Sequence, residues 1–220
     1  MRSIMLSLEF IIWLPRIFWS VACLSSAILY FRRDKISLPK LMRWMILAAL
    51  IFYAGYALLL TFAQYDLWSR NQFTHVFIES PLPSAAPFPE YLKNLAIFKS
   101  NLGYFAFYSF SRFWLRAALS IFSAFVFYGF LRSLRKYRDR LFEESETELG
   151  LLSALIAGWP GIIVFLLLVF PGVVLASLFR RIFFKKELTT LGWSFIFAGF
   201  VSFWWGEVVL VGLGLRVLFI

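Results

Sequence analysis

The chain is 220 residues long, 61% hydrophobic and 21% aromatic, with 22 Lys and Arg against 12 Asp and Glu for a formal charge of +10. Such a composition leaves no soluble domain of useful size, so most of the chain must be solvated by lipid or by its own helices. The basic residues gather at the ends of apolar runs, which points away from nucleic acid and toward anionic lipid headgroups as partners; with one cysteine, Cys23, and one histidine, His75, neither an intrachain disulfide nor a Cys/His metal site can form, and no metal or cofactor is implied.

The first apolar run, about residues 10–31, continues past any plausible signal-peptide cleavage point, so an uncleaved first span is expected. A short basic loop, 32–43, separates it from a second span at about 41–64. By the positive-inside rule this loop is cytoplasmic, which places the N-terminus outside and makes the 65–101 connection external. That connection carries Pro81, Pro83, Pro87 and Pro89, too many for one long helix, so turns and a short interfacial helix at 91–98 are predicted. A third span follows at about 103–131, then a second cytoplasmic loop at 132–148.

Residues 149–179 are apolar but broken by Gly158-Trp159-Pro160-Gly161, and basic clusters stand before and after them. A full span needs about 20 apolar residues and two need about 40, so a stretch of 31 suits a hairpin with one short arm. If the segment enters and leaves on one side, loops 32–43, 132–148 and 180–190 hold fourteen of the 22 basic residues in the cytoplasm; if it crosses once, only ten remain there. The hairpin is therefore preferred, with its irregular turn shielded from lipid. A last span is expected at 191–219.

The sequence thus predicts an all-α polytopic protein of a bacterial-type inner membrane: one integral membrane domain over 1–220, with about five transmembrane helices and a re-entrant or short-armed hairpin at 149–179. Two groups of ionisable residues stand out. Asp34 ends the first helix, and Glu143, Glu144, Glu146 and Glu148 lead into the broken segment. Two close carboxylates push their pKa values apart, so one donates a proton while the other activates water; Asp34 with Glu146 or Glu148 is the candidate pair. The competing reading makes 143–148 a solvated acidic face, paired with Arg135, Arg138 and Arg140 at helical spacing. Glu207 lies inside the last apolar run, in the outer half where Arg16, Arg112 and Arg116 are also expected, and a buried ion pair with one of them would fix helix register.

The carboxyl half resembles the membrane domain of type IV prepilin peptidases, intramembrane aspartyl proteases acting at the cytoplasmic face. The likeness lies in Glu143-Glu144-Ser145-Glu146-Thr147-Glu148-Leu149-Gly150, then Ala157-Gly158-Trp159-Pro160, a basic loop from Arg180 to Lys186, and Leu191-Gly192-Trp193. In that family a Gly-x-Gly-Asp signature precedes a short apolar helix, and Phe-Gly-Pro follows the basic loop. Counting back from Gly158, the second catalytic Asp falls on Glu146, with Ser145 and Glu143 where glycines belong. Counting back from Pro39, the first falls near Arg32, and Asp34 is two positions late. The resemblance implies a divergent, non-proteolytic relative, or, if an enzyme, an aspartyl-type endopeptidase taking a pilin-like peptide. A membrane scaffold or assembly subunit with a membrane-protein partner, and a small transporter component built on the broken helix and Glu207, are the other classes that fit.

Overall fold

The computed structural model describes residues 2–32, 38–83, 86–137, 145–184 and 191–219. These form helices α1 (Arg2–Phe31), α2 (Leu38–Ser69), α3 (Gln72–Ile78), α4 (Glu90–Lys93), α5 (Ala96–Lys99), α6 (Gly103–Ser109), α7 (Leu115–Tyr137), α8 (Glu146–Ala157), α9 (Ile162–Phe184) and α10 (Gly192–Gly212). A π turn, Phe110–Trp114, carries α6 into α7, and a 3-10 turn, Arg216–Leu218, follows α10. Among the described residues four helical stretches are long and apolar enough to cross a bilayer: Glu9–Phe31, Leu38–Ser69, Gly103–Tyr137 and Gly192–Gly212. They coincide with the four unbroken apolar runs, and they are consistent with a membrane protein. The last helix stops earlier than its apolar run, because the chain turns at Leu213 and Gly214 takes a left-handed φ of 75°.

The chain divides into two compact units, Met1–Ile51 with Leu119–Phe219, and Phe52–Ala118. The second unit is organised around Trp68, whose ring meets those of Phe77, Tyr104, Phe105 and Tyr108 at centroid distances of 4.8 to 6.4 Å. Asn71 caps α3 by accepting a hydrogen bond from the Phe73 N–H at 3.0 Å. The helix predicted at 91–98 is two separate turns, α4 and α5, interrupted at Asn94 and Leu95. Four residues complete only one turn, too few to propagate a helix without tertiary support.

In the first unit α10 packs against α8, α9 and α1. Its glycines fix the register. A Cβ on Gly199 would lie 3.2 Å from the Cβ and carbonyl oxygen of Ser153, and one on Gly206 would lie 3.5 Å from the Cα of Gly161. Residues 153 and 161 therefore follow α10 in the same direction as 199 and 206, so α8 runs parallel to α10. Gly172 of α9 instead faces Ser194, near the start of α10, so α9 runs back the opposite way. Phe127 of α7, Phe165 of α9 and Phe195 of α10 meet between these helices, with centroids 5.3 to 6.5 Å apart.

The link between α8 and α9 occupies Gly158, Trp159, Pro160 and Gly161, as the sequence predicts for a break. Gly158 takes φ 59° with an extended ψ, open to glycine at little steric cost, and Trp159–Pro160 is cis. Backbone away from helix ladders must find other partners. Here the Gly158 N–H donates to Ala154 O at 3.0 Å, the Trp159 N–H to Ser120 Oγ at 2.8 Å, and the Ile162 N–H to Gly158 O at 2.7 Å. The Trp159 indole N–H reaches Leu218 O at 3.2 Å, tying the 3-10 turn after α10 to the link. A Gly199→Leu variant should lose at least about 2 kcal/mol of stability, the usual range for overpacking a closed interface, read as a lower unfolding midpoint in detergent.

Candidate functional site

Glu146 opens α8 and is 0% exposed. A carboxylate at a helix N-terminus faces unpaired N–H groups and the positive end of the helix dipole, so it is the residue type favoured there. Its Oε1 reaches two other helices: it accepts the Tyr30 O–H from α1 at 3.1 Å and the Gly192 N–H from α10 at 3.0 Å. Gly192 is the first residue of α10, and the preceding Leu191 offers no side-chain cap. Glu146 thus supplies, from a different helix, an acceptor for one of the N–H groups that the start of α10 leaves without an intrahelical partner. Glycine at 192 is required by the same contact, because a Cβ there would collide with the Tyr30 ring. That ring stands edge-on to Trp193 at 5.8 Å.

Ser145, just before Glu146, has φ 79° and is buried. Among the described residues it is the non-glycine residue in the left-handed region. Its hydroxyl makes no capping bond and has no partner. A serine here bears both a backbone cost of about 1–2 kcal/mol and an unsatisfied buried hydroxyl. This backbone is one that glycine adopts freely. Glu148 is half-buried, and its Oε2 accepts the Thr147 hydroxyl at 2.8 Å, so it does not share the Glu146 contact.

Tyr30 and Gly192, which donate to Glu146 Oε1, are not among the site candidates of the sequence. Asp34, with Glu143 and Glu144, lies outside the described residues, as do Arg138, Arg140, Lys185 and Lys186. Glu207 is exposed on α10 and Arg16 is exposed on α1, over the Trp13 ring at 5.0 Å; the two make no ion pair with each other. Arg112 and Arg116 are exposed residues of the second unit, where Arg116 is an electrostatic neighbour of Tyr56. Gly158, Pro160 and Gly161 are buried and Trp159 half-buried in the turn already described.

Tyr30 and Ser120 were not visible as site residues in the sequence. A tyrosine at the end of an apolar helix is an ordinary interfacial aromatic, and a lone serine within one is a common helix residue. Compared with family models, with curated proteins and with solved structures, the chain matches none.

Two substitutions check the site. Ser145→Gly should raise stability by about 1 kcal/mol, since it removes the left-handed strain and the orphaned hydroxyl at once. Tyr30→Phe should lower it by about 1–3 kcal/mol, the range for taking one partner from a buried polar group. Both are read from thermal or denaturant unfolding of the purified protein in detergent.

Proposed function

We propose that the chain is a prepilin-peptidase-like integral membrane protein of a cytoplasmic membrane in which the carboxylate of the family's second catalytic position has become a structural tie rather than a proteolytic group. The observation that carries this reading is the state of Glu146: it lies where the resemblance puts the catalytic Asp, after a residue with glycine-type backbone, yet it is 0% exposed and bonded to Tyr30 and Gly192. General-acid or general-base work on a peptide needs a carboxylate within reach of water and of the scissile bond. A carboxylate closed off and occupied by two donors is suited to holding helices in register.

The topology proposed with it has the N-terminus outside and α8 and α9 as a re-entrant hairpin. Four helices cross, and α9, the long arm of the hairpin, is the fifth membrane-embedded helix. At 1.5 Å per residue, the 12 residues of α8 rise about 18 Å, against about 31 Å for the 21 residues of α10 beside it. The turn at 158–161 then lies at membrane depth, which its satisfied hydrogen bonds permit. The parallel course of α8 and α10 and the return of α9 support placing the segments that carry loops 32–43, 132–148 and 180–190 at one end, where positive charge belongs on the cytoplasmic side.

Two measurements test this. Incubated with a prepilin-like peptide in mixed micelles, the protein is expected to leave it intact, and Glu146→Gln, which retains an acceptor oxygen, should keep most of the stability that Glu146→Ala loses. Cleavage abolished by either Asp34→Asn or Glu146→Gln would instead restore the aspartyl-protease reading. For the topology, Lys185→Cys in a Cys23→Ser background should react with a membrane-impermeant thiol reagent only in inverted vesicles; labelling in intact cells would refute the hairpin.

A further inference from the structure

Glu207 shares a face of α10 with Trp193, Phe197, Phe200 and Trp204, all exposed. Positions 193, 197, 200, 204 and 207 follow the alternating steps of three and four that mark one helix face. An ionisable carboxylate therefore stands at the outer end of an otherwise aromatic stripe. The adjoining helix α1 carries its own exposed apolar stripe, Phe10, Trp13, Ile17, Val21, Leu24 and Ile28, with the exposed Arg16 guanidinium at its margin over Trp13.

Counted along their helices, both charges stand at a similar height from one contact. The Tyr30 ring sits against Gly192, so these residues mark a common level on the two helices. Arg16 precedes Tyr30 by fourteen residues, about 21 Å of helix, and Glu207 follows Gly192 by fifteen, about 22 Å. Each group is costly to leave facing lipid, and each becomes less costly beside an opposite charge. Among the described residues neither stands in an ion pair.

We propose that Glu207 of one copy pairs with Arg16 of a second copy inside the membrane, and Arg16 with Glu207, in a dimer whose two-fold axis runs along the membrane normal. Rotation about that axis leaves depth unchanged, so only groups at matching depth can meet across it, and a two-fold contact presents each pair twice. Matching depth, opposite charge and adjoining exposed helices are the conditions that this symmetry demands. The aromatic and aliphatic stripes beside the charges supply packing surface around them. The inference rests on α1 and α10 crossing the bilayer and is independent of whether Glu146 is structural or catalytic.

The test is the association state of the full chain in lipid vesicles, read by resonance energy transfer between labelled copies as the protein is diluted in lipid. The wild type should dimerise. Glu207→Arg and Arg16→Glu should each weaken association by about tenfold, the scale of polar interhelical contacts in membranes, and the chain carrying both exchanges should regain it. Helix content by circular dichroism establishes that each variant is folded; where a charge reversal is not, Glu207→Gln takes its place and should also weaken the dimer. A wild type that stays monomeric, single variants that associate as well as it does, or a double exchange that fails to recover would overturn the proposal.

Discussion

A buried carboxylate cannot be left without donors in a medium poor in water, and the rest of the first unit is arranged around the way Glu146 meets that demand. Its Oε1 draws the end of α1 and the beginning of α10 to the beginning of α8. Gly192 follows from this, since a side chain would occupy the place of the Tyr30 ring. So does the parallel course of α8 and α10: once their first residues are joined, Ser153 meets Gly199 and Gly161 meets Gly206 as the helices rise together. Helix packing without side-chain bulk allows this close approach, and lipid provides no hydrophobic drive between helices to replace it.

The same scarcity of water governs the far end of α8. A helix that stops among buried residues must dispose of its terminal carbonyls and of the N–H groups of the helix that follows. Gly158 turns the chain, Pro160 removes one donor, and Ser120 and the carbonyl of Leu218 take the Trp159 donors. The turn is thus held by α7 and by the 3-10 turn after α10, and Phe127, Phe165 and Phe195 pack together among α7, α9 and α10.

Ser145 bears a local cost of this arrangement. Its backbone is one that glycine adopts freely, yet its side chain is a serine with an unpartnered hydroxyl. The strain sits one residue before the carboxylate that Tyr30 and Gly192 engage.

Much of this architecture was legible in the chain itself. Apolar runs of sufficient length favour helices fit to cross a membrane because a helix satisfies its backbone groups within the segment itself, and Gly158 to Gly161 dictate a break because their backbone preferences oppose a helix. The basic clusters suggested which ends belong together. What the sequence could not contain is which helix each apolar face would meet, since Leu, Phe and Val are equally at home against lipid or against protein. Only the tertiary structure decided that α8 is the buried helix, that its first carboxylate is bound to Tyr30 and Gly192, and that Glu207 and Arg16 are left exposed. Those outcomes depend on contacts between residues 46 to 116 positions apart, where local propensity carries no information.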